Sequence, residues 1–215
     1  MKPTLERSLA YVALRQRHRW LGDSSPLILQ NFLLGAEWRV NISGAEVPTW
    51  RVCGPPKDPE FSRPLLAKAR VGRSWDWAMA MKVLYRADED GAKRLLRLMR
   101  TFVREHGLDE TPLAWGGRVF TFEHVIGQLA TRPGMYLGSE SGWDLRACLT
   151  GMHVGGDWLA LPRLPGLRRL VQAIERRSMK DCGTPWGIYL LSNGPELLES
   201  VGARKLSPGP DGVLR

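Results

Sequence analysis

The sequence predicts an α+β protein built from two tandem copies of one helix–turn–helix–strand–helix unit, packed about a pseudo-two-fold. Three observations predict it. Residues from about Leu5 to Gly35 pair with residues from about Phe122 to Gly151 at a nearly constant offset. Alternating apolar residues from Trp75 to Tyr85 read as one face of a strand. After Asp88, apolar residues recur at a helical period.

The repeat sets the domain plan. At an offset of 116, Trp20 meets Tyr136, Leu21 meets Leu137 and Gly22 meets Gly138. The same offset pairs Ser25 with Ser141, Leu29 with Leu145, Leu33 with Leu149 and Gly35 with Gly151. Upstream the offset becomes 117, which pairs Leu5-Glu6 with Phe122-Glu123, Ala13 with Ala130 and Arg15 with Arg132. A turn absorbs such a one-residue change with least damage. The plan is therefore a first unit over 1–107, a connector over 108–118, a second unit over 119–206 and a disordered tail over 207–215.

Each unit opens on a short amphipathic helix, over 4–14 and 121–130, with Thr4 and Thr121 as N-caps. A tight turn follows, and then a helix with Ser24 or Ser25 as cap, Pro26 in its first turn and Leu29, Phe32 and Leu33 on one face. Gly35 and Gly151 stand where a left-handed terminator is wanted. Trp38–Ile42 and Thr49–Val52 then read as short strands, followed by a Pro-rich loop over 54–64. The Trp75–Tyr85 alternation is the main strand of the first unit, and Trp186–Leu191 its counterpart in the second. The helix from Asp88 to about His106 buries Ala92, Leu95, Leu96, Met99, Phe102 and Val103. A short helix over Pro195–Val201 ends the second unit.

Composition narrows the function classes. The chain of 215 residues is long enough for a real core. No apolar run approaches the ~20 residues that span a bilayer, and the arginines at 15, 17 and 19 interrupt any signal core. A cytoplasmic protein is expected. Cys53, Cys148 and Cys182 lack zinc-ligand spacing and read as inert thiols. The four histidines show no ligand spacing either, so neither a metal nor a cofactor is expected. The net charge of +9 is shared by both halves and points to an anionic partner.

The segment Arg132-Pro133-Gly134-Met135-Tyr136-Leu137-Gly138 resembles the RPGMYIG segment of gyrase-type ATPases of the GHKL superfamily. That family follows it with a helix bearing an acidic residue and an Asn. Here Trp143-Asp144-Leu145-Arg146-Ala147-Cys148-Leu149 offers neither a Glu nor an Asn at that place, and the glycine-rich lid is absent, so ATPase activity is not expected. Phe122–Gly151, with the Trp77 strand and the Asp88 helix, is more similar to small, largely uncharacterised bacterial proteins. Their pattern is a helix, RPGMYxG, Ser, LxxFLxG, a GW-strand and an acidic-start helix. The resemblance covers about half the chain and implies an immunity- or accessory-type binding protein. The first copy lacks the Pro-Gly-Met triplet.

Two basic faces are candidate anion sites. Lys93, Arg97, Arg100 and Arg104 recur at three- and four-residue steps opposite the apolar stripe of the Asp88 helix. Arg163, Arg168, Arg169, Arg176, Arg177 and Lys180 form a second cluster, on a helix expected after Pro165. Arginine suits bidentate contact with carboxylate or phosphate, although helix faces opposite a core are commonly charged in any case. Trp20, Trp143, Tyr136 and Trp158 lie near turns and could line a pocket. No spacing specifies a catalytic triad. The leading expectation is a monomeric, non-catalytic protein engaging an acidic protein partner. Nucleic-acid binding is the alternative, and an enzyme or sequestering protein with a Trp-lined small-molecule pocket is the third.

Overall fold

A computed structural model describes residues 3–21, 25–71, 76–85, 88–113, 120–138 and 142–181. The first half supplies a 3-10 turn (Leu5–Arg7), α1 (Leu9–Arg15), α2 (Arg17–Trp20), α3 (Pro26–Ser43) and α4 (Thr49–Val52). It continues with a second 3-10 turn (Pro55–Lys57), α5 (Pro59–Ala69), α6 (Trp77–Leu84) and α7 (Asp88–His106). The second half supplies α8 (Phe122–Thr131), α9 (Pro133–Leu137), α10 (Gly142–Trp158) and α11 (Pro165–Asp181).

The α+β expectation is overturned: no strand or sheet occurs among the described residues. Each expected strand within the described residues fails for its own reason. Trp38–Ile42 is the last part of α3, because Gly35 does not terminate that helix. The terminator is Gly44, which is left-handed at φ 65° and closes α3 nine residues later. Thr49–Val52 is one helical turn. The Trp75–Tyr85 alternation conceals a helix because Ala78 and Ala80 make the other face apolar too. Trp77, Ala78, Ala80 and Met81 are the buried set, a one-, three- and four-residue spacing, and Asp76 caps the helix by accepting from the Met79 N–H at 3.0 Å. The expected strand Trp186–Leu191, the helix Pro195–Val201, the tail over 207–215 and Trp75 itself lie outside the described residues.

One antiparallel bridge, Pro48 to Pro112, is the sole extended pairing among the described residues. Thr49 donates to Thr111 and Leu113 to Val47, both at 2.8 Å. Neither proline has an N–H to extend the ladder, so the pairing stops there. It ties the first part of the connector to the first half.

Local capping follows side-chain chemistry. Thr121 accepts from the His124 N–H and starts α8, whereas Thr4 makes no cap bond and Ser8 starts α1 by accepting from Tyr11. The RPGMYLG segment is a short helix, Pro133–Leu137, closed by Gly138 at φ 72°.

Among the described residues the apolar side chains gather into two cores. One gathers α1, α3, α5, α6 and α7 around Leu9, Phe32, Met81, Leu95 and Met99. The other gathers α8, α10 and α11 around Leu129, Leu145, Leu149 and Ile174. They interlock through the crossing of α3 with α10, the most extensive helix pair among the described residues. Trp38 of α3 belongs to the second core, while Ala147 of α10 belongs to the first and Val154 packs against it.

The crossing is possible because two glycines face backbone. A Cβ on Gly35 would overlap the carbonyl oxygen of Cys148, and one on Gly151 would overlap the carbonyl oxygen of Phe32. The contact is reciprocal: Gly35 and Gly151 are 116 positions apart, and so are Phe32 and Cys148. Gly155 extends the close approach, where a Cβ would stand 2.7 Å from that of Ala36. Beside the crossing, Asn31 donates to Asp144 at 2.8 Å and to the Leu137 carbonyl at 3.1 Å, with both side chains buried.

Gly35→Ala and Gly151→Ala should each cost about 3 kcal/mol, because backbone rather than a yielding side chain must move. Gly127, inside α8 and facing open space, is the control: Gly127→Ala should gain about 0.5–1 kcal/mol. Urea unfolding of the three variants measures this, and equal effects at all three positions would remove the crossing from its structural role.

Candidate functional site

The first basic face lies on α7 as a row of exposed side chains, Lys93, Arg97, Arg100 and Arg104, opposite buried Ala92, Leu95 and Met99. Part of it is committed to the fold. Arg100 donates to the Tyr11 hydroxyl at 2.6 Å, with its guanidinium 5.5 Å from the centre of that ring. Arg104 sits 3.8 Å from Glu105 in an exposed pair, which contributes little. The second face lies on α11, where Arg168, Arg169, Arg176 and Arg177 are exposed; the Lys180 side chain lies outside the described residues. α7 packs on α1 and α3, α11 on α8, so the two faces belong to different cores.

The aromatic residues do not share one pocket. Trp20 stacks on Phe32 with centroids 6.1 Å apart and meets Trp158 edge-on at 6.4 Å. Tyr136 packs edge-on against Trp38 at 5.8 Å and donates its hydroxyl to Gln128. Trp143 is 39% exposed, with the Arg146 guanidinium 5.5 Å from its ring centre. Trp143 and Trp158 stand at opposite ends of α10, about 22 Å apart at 1.5 Å per residue, so they cannot line a common site.

The concave site that gathers cations is a groove of about 430 Å³ between α10, the loop after it and α11. Arg163 and Arg168 stand on its exposed rim. Arg39, which sequence patterning missed, reaches it from α3. Arg39 is only 4% exposed and donates to the Pro162 carbonyl. It passes over Gly156, where a Cβ would stand 2.9 Å from the guanidinium Nε. Burial lowers the Arg39 pKa, and the nearby Asp157 carboxylate opposes that shift. Met152, Leu164 and Val171 supply an aliphatic lining, and Asp157 and Glu175 offset part of the positive charge. The arginine at 39 gave no signal in sequence because it sits in a stretch read as a strand.

A second cavity, also of about 430 Å³, opens between α3, α5 and α6. Glu37, 5% exposed, accepts from the Cys53 thiol at 2.9 Å and from the Lys57 ammonium at 2.8 Å. Burial pulls the Lys57 amine down, but Glu37 and Cys53 outweigh it and the pKa stands above the ordinary lysine value. Burial pushes the Cys53 thiol well up, and Glu37 adds to the shift. Cys148 is raised by burial alone. Both thiols are therefore protonated at neutral pH and poor nucleophiles.

Among the described residues no three His, Cys, Asp or Glu side chains form a metal cluster, and no helix is long and apolar enough to cross a membrane. No protein family, curated protein or solved structure matches this chain.

The thiols predict an alkaline liability. Their folded pKa values are raised, so their contribution is full below the unfolded value near 9.0 and is lost as pH rises through the folded value. Each thiol should remove up to about 1.4 kcal/mol per pH unit above pH 9. A Cys53→Ser, Cys148→Ala double variant should show a shallower decline in urea-unfolding free energy between pH 9 and 10.5; an unchanged slope would contradict this.

Proposed function

We propose that this chain is a non-catalytic binding protein that engages an acidic protein partner through the groove between α10 and α11, as an immunity- or accessory-type factor does. One observation carries the reading: Arg39, Arg163 and Arg168, from α3, the loop before α11 and α11, converge on one concave site. Guanidinium groups pair bidentately with carboxylates, and Arg39 is already largely out of water and held in place, so little ordering remains on binding. Arg169 and Arg176 extend the positive face along α11. The aliphatic lining suits the apolar side chains between acidic residues of a peptide.

The nucleic-acid alternative is less well served. Single-stranded binding needs aromatic rings on which bases stack, and no Phe, Tyr or Trp lines this groove among the described residues.

A fluorescent peptide of alternating Glu and Leu blocks and a 20-nucleotide single strand serve as probes in anisotropy titrations. The peptide should bind saturably, and Arg163→Glu with Arg168→Glu should weaken it at least tenfold, since charged hydrogen bonds are worth about 1.5–3 kcal/mol each. Arg97→Glu with Arg100→Glu should change affinity less than threefold. A larger loss from the α7 variant, or tighter binding of the strand with a steep salt dependence, would overturn the reading.

A further inference from the structure

We infer that the partner enters the groove between α10 and α11 by its chain end, with its C-terminal carboxylate on Arg39 and the apolar side chain of its last residue against Met152, Leu164 and Val171. The inference rests on the groove being the partner's docking site, and it adds which part of the partner the groove takes.

Arg39 sets the chemistry of the occupant. It is 4% exposed, yet it lines the groove. A guanidinium carries five N–H donors and accepts nothing. Among the described residues one acceptor meets it, the Pro162 carbonyl. None of its nitrogens is both closed to water and unpaired, so its spare donors are open, and the groove is the cavity it borders. Asp157 acts on it through space and makes no ion pair with it. Buried charges are ordinarily paired, and this one meets a neutral carbonyl. The position calls for a planar anion that accepts two parallel N–H bonds, which is a carboxylate.

The rest of the lining limits the occupant to one such group. Arg163 and Arg168 add two positive charges at the rim, and Asp157 and Glu175 cancel two. Counting histidine as neutral, the charge left over equals that of the buried Arg39. A single carboxylate neutralises the groove, whereas a run of acidic side chains would bring further carboxylates against Asp157 and Glu175, and like charges across an interface are costly. A chain end delivers that single carboxylate most simply. It enters once, while an internal segment must enter and leave with peptide groups on both sides to satisfy. The volume of about 430 Å³ is that of a small-molecule pocket and suits the last residues of a chain better than a long segment. The aliphatic lining, with no aromatic ring among the described residues, suits a leucine or valine side chain. Capture of a terminal carboxylate is a recurring mode of peptide recognition.

Anisotropy titrations of the full chain with N-terminally labelled octapeptides test this. The peptides are a Gly-Ser sequence ending in Val-Leu with a free carboxylate, the same peptide amidated, an amidated version with one internal Glu, and a free acid ending in Ser-Ser. The free acid ending in Val-Leu should saturate below about 1 mM and bind at least tenfold more tightly than each of the other three. Arg39→Lys keeps the charge but loses the two-pronged contact, and it should reduce the preference for acid over amide at least fivefold. The comparison of peptides on the unaltered chain stands whether or not that variant folds. An amidated peptide of alternating Glu and Leu blocks separates this inference from the reading beneath it. If that peptide binds and Arg163→Glu with Arg168→Glu weakens it, while the Val-Leu acid and its amide bind alike or not at all, the inference falls and the groove remains the docking site. If neither peptide binds, both fall. The inference is also overturned if the internal Glu or the Glu and Leu blocks bind as tightly as the terminal acid, or if Arg39→Lys leaves the preference for acid unchanged.

Discussion

Where α3 and α10 cross, two backbones touch with nothing between them, because Gly35 and Gly151 each present a bare Cα to the other helix's carbonyl oxygen. Any side chain there would hold the helices apart by the thickness of a methyl group or more. The closeness has consequences on both sides. It lets Trp38 reach the second core and Ala147 the first, so neither core is complete without the other half's helix. It also brings Asn31 against Asp144, a buried pair whose separation would cost each the hydrogen bond it makes to the other. The glycines would be a liability in an isolated helix, and the offset is tertiary.

Both sites depend on the same helix. On one side α3 turns Phe32, Gly35 and Ala36 toward α10, and Arg39, one turn further, continues over Gly156 into the arginine groove. On another side Gln30, Leu33, Leu34 and Glu37 follow the three- and four-residue spacing of a helical face and line the second cavity. α3 is therefore a central strut with polar groups on separate faces. A helix in that position has no water-facing stripe, which is why polar residues on it, Asn31, Glu37 and Arg39, all need specific partners. Each has one.

The parts of the fold legible in sequence are those where one face meets water. α7 shows a clear stripe because one side is solvated, and its limits at Asp88 and His106 follow from composition and Gly107. The exposed basic residues on α7 and α11 were legible for the same reason. α3 was not legible as one helix, because a helix packed on all sides, with polar residues buried among apolar ones, lacks a clean periodicity, and its β-branched and aromatic end imitates a strand. α6 was misread through the opposite accident: alternating large residues with alanine between them satisfy a two-residue and a helical period at once. Only Asp76, a capping residue directly before it, distinguishes the two. Of the candidate site residues, Arg163 and Arg168 line the groove and Tyr136 the second cavity, while Arg39 and Asp76 lie in segments that read as strands, and Gln30 and Glu37 carry no pattern of their own.

The sequence by itself determined that the chain is basic, that α7 is an amphipathic helix, and that glycines stand at 35 and 151, 116 positions apart. It did not determine what those glycines do. A glycine terminates a helix when its φ turns positive and admits a neighbouring backbone when it does not, and the residue type permits both. Tertiary packing decided between them: Gly44 took the left-handed turn, and Gly35 and Gly151 became the contact between helices. Burial from all sides, not local propensity, extended α3 and α10 past them, because the apolar area gained there outweighs the weak strand preference of Trp38–Ile42.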